Sequence, residues 1–286
     1  MNKTLTLANY QNRVLSVVDY LWRNIEHDVD LNTLADVAHF SPYHFHRIYR
    51  EIMHETVNAT VRRLRLHYAA CQLLRTNDNI ESIANQLGYS SGEAFSRAFS
   101  RTYNITPSAY RQQRSTPSAL KIHPPSKRLY TMNHHIDIID FTRVQLGGLP
   151  HRGDYLKIGL VFEKVAIAAG SLQLLNDDTR SFGIYYDDPA SKDISELSSH
   201  ACITLTPEQA TSANLEVLEL EGGKHAALTF KGPYSELEQV YAWFYGEWVP
   251  KSGYQLANRP PFEEYLNDPR TVPPTELLTK IYLPLA

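Results

Sequence analysis

Cysteine is nearly absent from this 286-residue chain. Cys71 and Cys202 are the only two, too few and too far apart for a disulfide framework. Neither belongs to a Cys-x-x-Cys pair or to a zinc-type Cys/His cluster, so neither a zinc site nor any other metal is expected. Long apolar runs are missing too. Nothing approaches the ~20 residues of a membrane helix, and no membrane partner is expected. The opening stretch MNKTLTLANYQNRVLSVVDYLW is too polar for a signal peptide. Together these absences make a reducing cytoplasm the expected location. No glycine-rich phosphate loop and no Ser–His–Asp order occurs, and the twelve histidines are scattered, so no cofactor is expected. Net charge is small as well, −3 at a pI near 6.5, which on its own argues against nucleic acid. What is present is an ordinary soluble composition, 43% hydrophobic and 21% charged, long enough for about two domains.

The small net charge hides an asymmetry. Met1–Ser115 carries 13 Lys and Arg against 10 Asp and Glu, and 116–135 adds Lys121, Lys127 and Arg128 with no acid. Ile136–Ala286 holds 12 basic and 21 acidic residues. A basic first half and an acidic second half suggest different partners. The break falls in RSTPSALKIHPPSKRLYTMNHH, with Pro117, Pro124 and Pro125, which reads as a linker and hinge over 116–135.

The first half is helical and duplicated. Val14, Val17, Val18, Leu21 and Ile25 recur at helical spacing. LNTLADVAHFSPYHFHRIYREI then parallels IESIANQLGYSSGEAFSRAFSRTY, each reading as helix, tight turn, helix. Ser41 before Pro42 has the form of an N-cap with proline in the first turn. Gly88 stands at the turn of the second copy, where a positive φ is easy, and His39 in the first. The connector VNATVRRLRLHYAACQLLRT would be roughly 30 Å long as a helix, close to the ~34 Å between successive major-groove faces. One chain with two such units can read an asymmetric DNA site without a dimer.

LADVAHFSPYHFHRIYR, the connector and the ending GYSSGEAFSRAFSRTYNITPSAYRQQ together resemble the DNA-binding domain of AraC/XylS-type transcription regulators, over 1–115. Recognition helices present their N-terminal outward residues to bases. In the first helix these are Tyr43, His46, Arg47 and Arg50, with Arg47 suited to bidentate pairing with guanine. Tyr43, His46 and Arg47 match the base-reading positions that the resemblance implies, and His44 a more structural one. In the second, Gly92, Glu93, Ser96 and Arg97 occupy the matching positions. Glu93 either accepts from cytosine or repels phosphate. Arg62, Arg63, Arg65 and Arg101 are phosphate-contact candidates.

The second half has a β-rich rhythm and its own duplication. HRGDYLKIGLVFEKVAIAAG parallels FKGPYSELEQVYAWFYGEWVPKSG, and GIYYDDP parallels EEYLNDP. Tyr155 pairs with Tyr234, Phe162 with Tyr241 and Tyr185 with Tyr265. Two such halves form one sheet about a pseudo-twofold axis, helices on one face, with a cleft between them. GLPHRGDY, GGKHAALTFKGPY, WFYGEWVPKSGY and PPFEEYLNDPRTVPPTELLTKIYLPL resemble a GyrI-like effector-binding domain over 136–286. The expected fold is therefore multidomain, α and α+β: an all-α tandem helix-turn-helix followed by a duplicated α+β sensor.

The resemblance implies a pocket with aromatic walls and a glutamate that takes hydrophobic, often cationic, molecules. A carboxylate in an apolar cleft is costly until a cation joins it, and aromatic faces attract the same cation. Glu263 is the candidate, sharing a strand face with Tyr265 while Glu264 points away. Its aligned first-half position is Gly183. Tyr155, Tyr185, Tyr234, Trp243 and Trp248 are candidate walls. Leu237, Val240, Tyr241, Phe244 and Trp248 form a helical stripe expected in the core, which leaves Trp243, off the stripe, as the foremost ligand contact.

These features lead to a DNA-binding transcription regulator, an activator, that is not an enzyme. Its partners are double-stranded DNA, a small hydrophobic or cationic effector, and RNA polymerase. Two alternatives are a hydrolase using Glu263 and Tyr265, and an acidic protein-interaction module that contacts basic partners or masks its own DNA-binding domain.

Overall fold

Residues 3–113 and 134–286 are described by a computed structural model. Of the expected 116–135 hinge, only the last two residues fall among them. The first region holds seven helices among its described residues: α1 (Lys3–Arg23), α2 (Leu31–Val37), α3 (Pro42–Met53), α4 (Val57–Arg75), α5 (Ile80–Gln86), α6 (Gly92–Tyr103) and α7 (Pro107–Gln113). α2–α3 and α5–α6 are the two helix-turn-helix units, and α4 is the connector. At 19 residues, α4 is about 28 Å long. Val14, Val17 and Leu21 of α1 are buried against Leu34, Ala35, Phe45 and Ile48 of the first unit. Ile83, Ala84, Phe95 and Phe99 form the equivalent core of the second. The two turns are built alike at the backbone. His39 and Gly88 both take positive φ, 51° and 73°, so the first unit places a bulky residue where glycine is easier.

The second region is one antiparallel sheet with four α-helices: β1 (Asp137–Phe141), β2 (Val144–Arg152), α8 (Gly159–Ser171), β3 (Ser181–Tyr185), β4 (Ser198–Thr204), α9 (Pro207–Ser212), β5 (Glu216–Leu220), β6 (Gly223–Lys231), α10 (Leu237–Trp243), α11 (Val249–Ser252), β7 (Phe262–Tyr265) and β8 (Leu278–Pro284). Strand order is β1-β6-β8-β7-β3-β4-β2-β5, so the duplicated halves meet at β7 and β3. Gly183 and Glu263, aligned in the repeat, are direct cross-strand partners. The pseudo-twofold axis therefore runs through that pair.

The two regions share a continuous apolar core. Phe244, Tyr245 and Val249 of the second region belong to the same buried cluster as Val14, Phe45 and Ile48. Phe182, Cys202, Phe262 and Tyr282 form a separate cluster within the second region. Among the described residues no helix is long and apolar enough to cross a membrane.

Candidate functional site

Alternation along β7 sends Glu263 to one face and Glu264 to the other. Glu264 accepts from Arg180 at 2.7 Å and from Tyr282 at 2.6 Å. Glu263 enters a cavity of about 840 Å³, within the usual range for small-molecule sites. Its Oε1 accepts from the Tyr241 hydroxyl at 3.0 Å and its Oε2 from Tyr265 at 2.9 Å. Tyr265 pairs with the Tyr185 hydroxyl at 2.5 Å, so protons can line up from Tyr185 through Tyr265 to the carboxylate. Gly183 makes this chain fit. A Cβ there would lie 2.9 Å from both tyrosine hydroxyls.

Burial pushes the Glu263 carboxyl up to about 7, against the pull of the Tyr265 and Tyr241 hydroxyls and the Arg47 charge. Near neutral pH the site is thus poised between a neutral acid and a buried anion. Tyr155 and Phe162 complete the aromatic wall, edge-on to Tyr185 and Tyr265 at 4.8 and 5.3 Å between centroids, and Tyr234 lies edge-on to Tyr265 at 5.5 Å. Six carboxylates line the cavity (Asp154, Glu163, Asp188, Glu238, Glu263, Asp268) against three guanidiniums (Arg47, Arg50, Arg270), a balance that draws cations.

Tyr155, Tyr185, Tyr234, Glu263 and Tyr265 come together in this cavity; Trp243 and Trp248 do not line it. Trp243 packs on Phe244 and His134, and Trp248 on Phe244 and Tyr254. The reason is angular. Tyr241 points at Glu263, and Trp243 follows it by two residues, about 200° round the helix. A wider π-helical stretch over Phe244–Trp248 then shifts the later positions again. The core stripe expected through Tyr241 thus supplies a ligand of the carboxylate instead. The available signal was the repeat, which aligns Tyr241 with Phe162, another cavity residue.

The two recognition helices are placed differently. In α6, Glu93 and Arg97 are exposed, and Gly92 and Ser96 half-buried. In α3, Arg47 is 5% exposed and Tyr43, His46 and Arg50 half-buried, because α3 lies on the second region. Arg47 Nη2 donates to the Asp187 carbonyl at 2.9 Å and Nη1 to the Tyr245 hydroxyl at 3.4 Å. Tyr245 in turn bonds His44 Nδ1 at 2.8 Å. Burial and the Arg47 charge hold His44 down at about 3, so it is neutral and can accept. Burial works against the Arg47 charge, but Tyr245, Asp188 and Tyr241 outweigh it and raise its pKa. Arg50 pairs with Asp188 at 3.2 Å, and Ser41 donates to Asn258 at 2.9 Å. In this arrangement the Arg47 guanidinium is turned into the protein, whereas Arg97 is exposed to solvent.

Residues 134–286 match the GyrI-like small molecule binding domain, and residues 34–113 match a helix-turn-helix domain. The regulatory protein SoxS of Salmonella typhimurium is 30% identical over 105 residues, 37% of this chain and 98% of SoxS. The regulatory protein PocR of the same organism is 32% identical over 117 residues, 41% of this chain but 37% of PocR. The chain thus spans little more than a third of PocR and nearly all of SoxS. The solved C-terminal domain of EcmrR is 17% identical and covers 54% of this chain and 99% of that domain, at a TM-score of 0.44.

Proposed function

The chain belongs to the GyrI-like small-molecule-binding family and carries an AraC-type helix-turn-helix head, and from that premise we propose that it is a one-component transcription activator with a hydrophobic cation as effector. In this reading 1–115 binds DNA, 116–135 is the hinge and 136–286 is the sensor. Tyr43, His46, Arg47 and Arg50 read DNA from α3, and Gly92, Glu93, Ser96 and Arg97 from α6. Glu263 is the counter-charge for the effector. Tyr155, Tyr185, Tyr234, Tyr241 and Tyr265 supply the aromatic wall. Effector binding favours the arrangement in which the head engages DNA and RNA polymerase.

The observation that carries the reading is the environment of Glu263. Tyrosine hydroxyls hold this carboxylate inside an aromatic cavity. An entering cation removes the cost of ionisation and gains from the ring faces at once.

The test is a thermal-shift titration with tetraphenylphosphonium, with neutral triphenylphosphine oxide as control, on wild type and Glu263→Gln. The phosphonium is expected to raise the wild-type Tm, and more at pH 8 than at pH 6, since the carboxyl ionises near 7. Equal stabilisation of both proteins would remove Glu263 from the site. Without any ligand the sign reverses. From about 4.5 to about 7 the folded carboxyl keeps a proton that the unfolded chain releases, so stability falls as pH rises through that window. Glu263→Gln removes this fall, and its advantage at pH 8 has a ceiling of about 3 kcal/mol.

A further inference from the structure

The cavity is not walled by the sensor alone. Arg47 and Arg50, from the first recognition helix, stand in its lining. The Arg47 guanidinium lies over two rings, 5.3 Å from the Tyr241 centroid and 5.4 Å from that of Tyr245. Tyr241 is also the residue whose hydroxyl holds Glu263. A cation drawn to Glu263 therefore meets a guanidinium already stationed on the same ring. Two positive charges in one desolvated aromatic cavity repel far more strongly than they would in water. The same arginine occupies the helix position from which a side chain would pair with guanine. Docking the helix thus fills part of the cation site and withholds a DNA contact in a single act.

We propose that Arg47 is an internal competitor of the effector: a hydrophobic cation bound at Glu263 expels Arg47 from Tyr241 and so frees α3 for the major groove. This rests on the reading of the cavity as a cation site and adds the residue through which that site is coupled to DNA. Arg50 and Asp188 act as the latch, since their ion pair at 3.2 Å joins the same helix to the same cavity wall. A hydrophobic anion of the same shape has the opposite effect. It pairs with Arg47 and keeps α3 docked. By linkage, whatever factor the cation adds to DNA affinity, DNA adds to cation affinity.

The experiment uses the full chain and two isosteric ions, tetraphenylphosphonium and tetraphenylborate, titrated calorimetrically into wild type, Arg47→Met and Glu263→Gln. Arg47→Met is expected to bind the phosphonium about ten-fold more tightly than wild type, within the usual span of such couplings, and the borate more weakly. Asp188→Asn leaves α3 untouched and opens the latch from the sensor side. It is expected to bind the chain's own upstream duplex several-fold more tightly than wild type when no ion is added. If Arg47→Met and wild type bind the phosphonium equally while Glu263→Gln binds it less, the competitor role is wrong and the cation site stands. If no variant binds the phosphonium, both fall. Unchanged DNA affinity in Asp188→Asn also overturns the proposal, independently of how well Arg47→Met folds.

Discussion

The two helix-turn-helix units have the same pattern and opposite surroundings. Fifty residues apart, Ser41 and Ser91 begin the two recognition helices. Ser91 caps α6 by accepting from the Ala94 amide at 3.1 Å. Ser41 makes no cap bond and gives its hydroxyl to Asn258 of the GyrI-like domain. Arg97 is exposed, whereas Arg47, its counterpart, is buried between two tyrosines. Where the second copy has Ala94, the first has His44, bonded to Tyr245. The second unit thus keeps its polar groups for itself and for solvent. The first has turned four of them, Ser41, His44, Arg47 and Arg50, toward another domain. Duplication conserves the fold of a unit without conserving what its outer face is for.

That contrast can be broken most forcefully at the paired arginines. Without effector, Arg97→Ala is expected to weaken binding to the upstream duplex by about 5- to 150-fold, the worth of one good base contact at ~1–3 kcal/mol. Arg47→Ala is expected to cost much less under the same conditions. A gel-shift series that ranks the two the other way would show that α3, not α6, carries the unliganded complex.

The salt dependence sharpens the same point. If effector releases α3, the slope of log K against log salt should steepen by about one for each additional phosphate that the protein neutralises. Fluorescence anisotropy between roughly 50 and 200 mM salt, with and without tetraphenylphosphonium, reads this directly. A slope that does not move means that the DNA-facing surface has not changed.

A smaller effect separates the caps. Ser91→Ala should cost roughly 1 kcal/mol of stability, the usual loss for an N-cap. Ser41→Ala has no cap bond to lose and gives up only the exposed bond to Asn258, so it should cost less, about 0.5 kcal/mol, the low end for a hydrogen bond, felt mainly as looser docking. Urea melts of the two variants check this, and equal losses would contradict the contrast.

Both duplications could be read in the sequence because they are local. Helical spacing, turn residues and matched aromatics repeat within about fifty residues in the head and eighty in the GyrI-like domain. Glu263 stood out because its aligned partner is Gly183, and the fold brings that pair together at the junction of the halves. The docking of α3 left no such trace. Arg47 meets the Asp187 carbonyl across 140 positions, and Ser41 meets Asn258 across 217. No period or motif encodes contacts of that range. Tyr241 was hidden for another reason. An apolar stripe marks the buried face of a helix, but it does not say whether that face meets packed side chains or the wall of a cavity. Trp243 was misleading on the same ground, since leaving the stripe turned it from the carboxylate toward His134 and Phe244.

The central claim is that effector and DNA draw on one helix, and reciprocity tests it most directly. Tetraphenylphosphonium is titrated into the full chain alone and into the chain saturated with its upstream duplex. Its affinity should rise with DNA present, by the same factor by which the ion raises DNA affinity. Identical phosphonium affinity with and without the duplex would contradict the claim outright.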